Sequence, residues 1–234
     1  MRRFWTRASV AGGGVAFRVL LDGRPLHLPS GAVLGVASEK LARAIAVEWQ
    51  EAAAGRTEMS FAEVPLTRLA GTAQERIAPD PAPTVAAIAK YGEADQLCYR
   101  ADGPEALVRR QARGWQPWLD WAALELDALL RVTTGVMHVA QPPEALHALS
   151  RSVAALDPAA LAALGIAVPA LGSLVLGLAV AAGRLDAAAA HALSMLDELF
   201  QEELWGVDHE AAERRGRIGD EIALAVRFME LSRC

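Results

Sequence analysis

Cysteine is scarce in this sequence, and its scarcity excludes two classes of protein. Cys98 and Cys234 are the two cysteines among 234 residues. They provide no disulfide framework, and without CxxC spacing they predict no structural zinc site. Aromatic residues are also few, at 6%, whereas hydrophobic residues reach 53%. We therefore expect a core built largely from Ala, Leu and Val, of which Ala and Leu favour helices.

Basic residues are outnumbered as well. The chain has 23 Lys and Arg against 28 Asp and Glu, which gives a net charge of −5. A face that binds nucleic acid or an anionic membrane needs an excess of basic residues to pair with phosphates. The composition therefore predicts no nucleic-acid partner.

Long apolar runs are missing too. The uncharged stretch 158–183 is most apolar at 174–182, which is far shorter than the ~20 residues that a membrane-spanning helix needs. Pro169 and Gly172 interrupt it further, so we predict a buried helix and no integral membrane span. The basic amino terminus lacks the apolar segment of a secretory signal. We expect a cytoplasmic location in a bacterium, or the mitochondrial matrix if the source is eukaryotic.

The first third of the sequence alternates apolar and polar residues as strands do. Two such runs, 15–21 and 24–28, are separated by Asp22-Gly23, and this dipeptide between strand patterns predicts a hairpin. Gly12-Gly13-Gly14 precedes the first run and predicts a turn, not a phosphate-binding loop. Residues 59–64 predict a further short strand.

A helix with an inward tryptophan is predicted next. Ser38 is suited to cap a helix on which Leu41, Ile45 and Trp49 share one side. We therefore predict that Trp49 supports the fold of the amino-terminal part.

The chain after Asp80-Pro-Ala-Pro83 reads as helical, with Pro117 predicted to begin or kink a helix and Pro169 to mark a helix start. We predict an α+β fold. A small mixed α/β amino-terminal domain with a β-hairpin spans residues 1–80, and a larger all-α carboxyl-terminal domain spans 84–234.

Three tryptophans in the helical part, Trp115, Trp118 and Trp121, recur at three-residue steps. This spacing predicts a same-face aromatic cluster. Because no basic or glycine-rich segment beside it could hold a nucleotide, we assign Trp118 and Trp121 a structural role in packing.

Catalytic and metal-binding patterns are incomplete. Glu144 and His147 have the spacing of a di-iron ligand pair, but no second copy exists. His209 and Glu213 resemble a zincin helix that lacks its second histidine. We therefore predict a protein that is not an enzyme, with no catalytic residues, metal, cofactor or small-molecule substrate.

The stretch 193–206 divides into two faces when it is placed on one helix. The predicted buried stripe is Leu193, Leu196, Phe200, Leu204 and Val207. The opposite face carries Glu198, Gln201, Glu202 and Trp205. This face is either solvated, with Trp205 packed against a neighbouring helix, or a docking surface, since exposed tryptophan beside polar groups is typical of interface hot spots.

An ordered series of short motifs runs through nearly the whole chain. They are Arg3-Phe4-Trp5, Leu21-Asp-Gly-Arg-Pro25, Glu48-Trp49, Pro65-Leu-Thr-Arg-Leu-Ala70, Leu97-Cys-Tyr-Arg100, Gln111 with Trp115, Trp118-Leu-Asp-Trp121, Gly172-Ser-Leu174, and Gln201 with Trp205-Gly206. In this series the chain resembles the α-proteobacterial form of the chaperones that assemble ATP synthase by acting on its α subunit. Gly71 departs from the pattern, because asparagine is usual there.

The resemblance implies two domains and a chaperone that binds the unassembled α subunit, covering the surface that β later contacts. Glu198 matches the acidic position before Gln201 and Trp205-Gly206, so it is the first candidate for client contact, with Glu202 beside it. Two alternatives stay open: a general interaction or regulatory module unrelated to ATP synthase, and an enzyme with a carboxylate metal site.

Overall fold

The Asp22-Gly23 dipeptide forms the predicted hairpin. Both residues take positive φ, 48° and 81°, as the central positions of a type I′ turn require. The turn joins β2 (Phe17–Leu21) to β3 (Arg24–Pro25), which pair antiparallel. In the computed structural model, which describes residues 2–12, 16–52, 54–55 and 57–233, β1 (Ala8–Ala11) and β4 (Gly35–Val36) also pair antiparallel with β2.

The amino-terminal part differs from the strands that the sequence predicts. The sequence pattern did not reveal β1. Gly13, Gly14 and Val15, on which the predicted turn and strand start rested, lie outside the described residues. The strand predicted at 59–64 is wrong: its centre is a 3-10 turn, Phe61–Glu63, because Ser60 and Glu63 form a reciprocal capping box.

Helix α1 (Glu39–Glu51) begins where Ser38 predicts. The Ser38 hydroxyl accepts a hydrogen bond from Leu41 N at 3.4 Å, and Leu41, Ile45 and Trp49 are all buried. Helix α2 (Pro65–Thr72) follows and continues as a π-helical turn, Ala73–Ile77.

The Glu48-Trp49 pair of α1 holds the start of α2. The Glu48 carboxylate accepts hydrogen bonds from Leu66 N at 2.6 Å and Thr67 N at 3.1 Å, so it caps that helix. Trp49 Nε1 donates to Thr67 Oγ1 at 2.8 Å. Burial raises the pKa of the Glu48 carboxyl, and the hydrogen bonds from Leu66 and Thr67 offset part of the increase. Trp5 completes the group, because its Nε1 donates to the Trp49 carbonyl at 2.9 Å.

The described residues after α2 are mainly helical and include one short parallel strand pair, β5 (Tyr99–Arg100) with β6 (Thr133–Thr134). The helices are α3 (Ala82–Ala89), α4 (Glu105–Leu126), α5 (Pro143–Ala154), α6 (Pro158–Leu171), α7 (Leu174–Ala181), α8 (Ala187–Ser194), α9 (Leu196–Trp205) and α10 (His209–Ser232). The α+β fold class is confirmed.

Pro169 does not start a helix as predicted, and Pro117, predicted to begin or kink a helix, does not begin one. Pro117 lies inside α4, which is continuous around it. Pro169 lies in the last turn of α6, and the chain leaves that helix at Gly172, whose φ is +62°. A proline there removes one hydrogen bond near the helix end, and the next helix begins only at Leu174.

A buried carboxylate fixes the start of α7. Asp95 is 0% exposed. Its Oδ2 accepts hydrogen bonds from Ser173 Oγ and Val175 N, both at 3.0 Å, and its Oδ1 accepts one from Leu97 N at 3.0 Å. Burial raises the pKa of this carboxyl, and the hydrogen bond from Val175 opposes the increase most. The motif around Ser173 is thus a buried helix cap.

The chain divides into two compact units. The first consists of Met1–Pro81, Asp157–Ala163 and Arg227–Cys234, and the second of Ala82–Leu156 and Leu164–Val226. The division into domains 1–80 and 84–234 stays a prediction, and Cys234 itself lies outside the described residues. Within the part of the chain that the structure describes, no helix has both the length and the apolar character needed to cross a membrane.

Candidate protein-docking site on helix α9

The stretch 193–206 forms the end of one helix and the whole of another. Helix α8 ends at Ser194, Met195 has non-helical backbone angles, and α9 begins at Leu196. A single helix through this stretch is therefore wrong. Leu196 and Phe200 are buried as predicted.

The end of α9 corrects the predicted stripe. Leu204 and Val207 are 57% and 59% exposed, and Trp205 between them is 78% exposed. Helix α9 ends at Trp205, and Gly206, with φ of +90°, turns the chain. The last helical turn therefore extends beyond the packed part of the stripe. Leu204, Trp205 and Val207, hereafter the α9 patch, are three exposed apolar residues within four positions of the chain.

The two glutamates of the predicted docking face are ion-paired with α10. Glu198 Oε1 accepts a hydrogen bond from Arg214 Nη2 at 3.0 Å. Glu202 pairs with Arg215, and these side chains are 18% and 11% exposed. Glu198 is half-buried, so neither carboxylate is as free as the helix pattern indicates, whereas Gln201 is exposed. A role for these three residues in client contact stays a prediction.

Helix α9 is also held by α4. Arg110 donates two hydrogen bonds to the Glu203 carboxylate, both 2.7 Å long, and its guanidinium lies 5.0 Å from the centre of the Phe200 ring. The bond from Arg110 lowers the pKa of the Glu203 carboxyl. Gln111, which is buried, donates to Asp197 Oδ1 at 2.8 Å. These contacts fix the helix that presents the α9 patch.

The tryptophans of α4 differ in their environments. Trp115 is 0% exposed, and its Nε1 donates to the Leu193 carbonyl at 2.9 Å, which ties α4 to α8. The rings of Trp118 and Trp121 lie 6.4 Å apart in an edge arrangement, and both residues are half-buried. The triplet is therefore not one uniformly buried cluster.

Sequence patterns did not find the positively charged side of this site. Arg110, Arg214 and Arg215 each pair with a glutamate on another helix. Because each arginine lies on a different helix from its glutamate, no three- or four-residue spacing relates the two in the sequence. Only the packing of α9 against α4 and α10 brings them together. Gln111 did belong to a recognised motif, but nothing in the sequence predicted its hydrogen bond to Asp197.

We also compared the described side chains with the ligand groups that a metal ion needs. Among residues 2–12, 16–52, 54–55 and 57–233, no group of three or more His, Cys, Asp or Glu side chains is arranged to hold a metal ion. The α9 patch, flanked by paired charges, suits contact with another protein.

Comparison with known proteins gives the same assignment as the motif series. The sequence model of the family described as ATP12 chaperone protein matches residues 2–123. The chain belongs to the ATP12 chaperone family. The resemblance seen in the sequence is thereby confirmed, and the family match includes the hairpin, α1, α2 and the tryptophans of α4.

Solved structures match almost the entire chain. Atp12 from Paracoccus denitrificans is 46% identical, with 99% of this chain and 98% of that chain covered and a TM-score of 0.92. An aspartate-to-lysine variant of the same protein gives the same values. A candidate chaperone from Agrobacterium tumefaciens is 38% identical, with 98% and 85% covered and a TM-score of 0.88. The ATP12 fold thus extends well beyond residue 123 in this chain.

Proposed function

We propose that this chaperone binds the unassembled α subunit of the ATP synthase catalytic head and covers the surface that β later contacts. The observation that carries the proposal is the α9 patch, an exposed tryptophan between two exposed aliphatic residues on an ATP12-family chain. The proposal gives the protein a binding role without catalysis, in the compartment where the α subunit is assembled.

The chemistry of the patch suits a client that must later be released. A free ring subunit exposes apolar interfaces, which aggregate unless they are covered. A transient chaperone needs mixed apolar and polar contacts in place of a dry, permanent interface. Trp205 supplies a large apolar contact, and Gln201, also exposed on α9, supplies a polar one.

The contacts that hold α9 in place should reduce the conformational entropy that the α9 patch loses on binding. Phe200 is buried, and Glu203 is held by two hydrogen bonds from Arg110. A side chain on a fixed helix loses less conformational freedom on binding than one on a mobile loop. The proposal therefore places Trp205 as the anchor of client contact.

The direct test is retention of purified α subunit by the immobilised chaperone at moderate salt. Trp205→Ala is expected to weaken retention about tenfold or more, because a central tryptophan is a common hot spot. Leu124→Ala is the matched control, since Leu124 is 83% exposed on α4 and lies outside the patch. Failure of the unaltered chaperone to retain the α subunit would refute the proposal.

A charge exchange separates two roles of Glu198. Glu198→Lys places two cations together at Arg214, and we expect it to weaken α-subunit binding several-fold. The double variant Glu198→Lys with Arg214→Glu restores an ion pair of opposite direction. If Glu198 contacts the client directly, the double variant binds as poorly as the single one. Recovery of binding in the double variant would show instead that Glu198 acts by pairing α9 with α10.

A further inference from the structure

The first unit contains a groove that the α9 patch does not involve. It encloses about 760 Å³ between the segment Arg24–Pro29 and α2. Leu26, Leu28 and Trp49, all buried, contribute to its lining. Its volume is within the range of sites that hold small ligands or a few side chains of a peptide, roughly 300–1,000 Å³.

The groove is apolar and remains open to solvent. Phe4 and Phe61 both line it, and they are 67% and 54% exposed. A glycine also shapes its wall: a Cβ on Gly71 would lie 2.9 Å from Leu28 Cδ2. The absence of that atom lets Leu28 pack directly against α2. Exposed aromatic rings at an open groove favour an occupant that is itself part of a larger molecule.

Positive charge surrounds this apolar groove, although the whole chain carries −5. Arg24, Arg68 and Arg76 line it and are exposed. Among the described residues, the side chains of Arg68 and Arg76 form no hydrogen bond or ion pair, while Arg24 lies within electrostatic range of Asp22.

The remaining titratable groups of the lining do not cancel this charge. Glu75 is the acidic one, and its carboxylate accepts hydrogen bonds from the backbone N–H and the hydroxyl of Ser30. His27 Nδ1 lies 2.8 Å from the Gly31 carbonyl oxygen. The groove lining thus carries three arginines against one hydrogen-bonded glutamate, which leaves a local surplus of positive charge that faces solvent.

We propose that this groove is a docking site for an extended segment of another protein, in which an aromatic or aliphatic side chain is flanked by carboxylates. The apolar side chain fills the space over Leu26, Leu28 and Trp49, and the carboxylates pair with Arg68 and Arg76. Because the arginines favour carboxylates, the groove should bind an acidic apolar segment more tightly than an uncharged or basic one. The site is separate from the α9 patch and does not depend on the identity of the client bound there.

Fluorescence anisotropy of the full-length protein tests the site. The probe is a labelled peptide of about ten residues, a span of at most ~36 Å, with a central Leu-Phe pair flanked by Asp and Glu. Two comparison peptides replace the acids by lysine or the Leu-Phe pair by serine. We expect saturable binding of the first peptide, about tenfold weaker binding of both others, and loss of affinity as salt is raised to about 0.5 M.

Variants locate the binding. The double variant Arg68→Glu with Arg76→Glu is expected to weaken binding of the acidic peptide about tenfold or more, and Phe61→Ser several-fold. Lys40→Glu is the control: Lys40 is exposed on α1, outside the groove, and the substitution changes the charge by the same amount as either arginine substitution alone. Unchanged thermal unfolding shows that each variant is folded.

Three results would overturn the proposal: equal binding of acidic and lysine peptides, unchanged binding by the double variant, or equal weakening by Lys40→Glu. Binding of dodecanoate without binding of any peptide would also overturn it and indicate a fatty-acid site. Because no α subunit is present in the assay, failure here leaves the proposed function untouched.

Discussion

Asp95→Ala is expected to lower the free energy of unfolding by about 3 kcal/mol or more, since it removes the acceptor of three hydrogen bonds in a fully buried site. Leu97 N, Ser173 Oγ and Val175 N all donate to this carboxylate. For a chain of this size the midpoint of thermal unfolding should fall by roughly 6–12 °C. Circular dichroism during heating and in urea measures both quantities.

An exposed helix cap provides the control for Asp95. Asp186 caps α8 by accepting a single hydrogen bond from Ala189 N at 2.8 Å, and it is exposed. Asp186→Ala is expected to cost about 1 kcal/mol, the usual value for a surface cap. Asp95→Asn should lie between the two, because its amide group keeps one acceptor but directs N–H groups at other donors. Equal losses from Asp95→Ala and Asp186→Ala would contradict the role assigned to burial.

Trp115→Ala is expected to cost about 3–5 kcal/mol, as truncation of a fully buried aromatic side chain does. The change leaves a cavity beside α8 and removes the donor to the Leu193 carbonyl. Because α8 leads directly into α9, we expect α-subunit retention to fall together with stability. Chemical unfolding and the retention assay, performed on the same preparations, test both effects.

Two further variants serve as controls for Trp115→Ala. One tests the hydrogen bond of Trp115, and the other tests the loss of a tryptophan that is exposed. Trp115→Phe keeps an aromatic ring but loses the N–H group, and it should cost about 1–3 kcal/mol. Trp205→Ala removes an equally large side chain from the surface and should change stability by at most about 0.5 kcal/mol. Thus Trp115→Ala should impair folding and binding together, and Trp205→Ala binding alone. A large stability loss in Trp205→Ala would mean that Trp205 supports the fold.

Much of the local structure could be predicted because its causes lie within a few residues. Asp22-Gly23 specifies its turn through backbone conformations that few other residues adopt. Ser38 and Asp186 cap helices by bonds to N–H groups three residues away. The apolar spacing of α1 likewise places Trp49 inward. An error occurred where a local signal permits two outcomes, as with Pro169, which lies in the last turn of a helix and does not begin one.

The candidate site was only half predictable. Periodicity correctly separated buried Phe200 from exposed Trp205, because both lie on one regular helix. Periodicity wrongly placed Leu204 on the buried side, because the apolar spacing of α9 does not show how far along the helix its neighbours reach. It also could not pair Glu198 with Arg214, because that contact depends on how α9 and α10 pack.

By itself, the sequence determined the family, the α+β class, the hairpin and the main helix caps, because motif order and short-range hydrogen bonding are written along the chain. The tertiary structure alone decided which charges are paired, that Asp95 is a buried cap, that the α9 patch is exposed, and that an arginine-lined groove exists in the first unit. The physical reason is range. Turns and caps act over a few residues, whereas burial, desolvation and ion pairing depend on residues that only folding brings together.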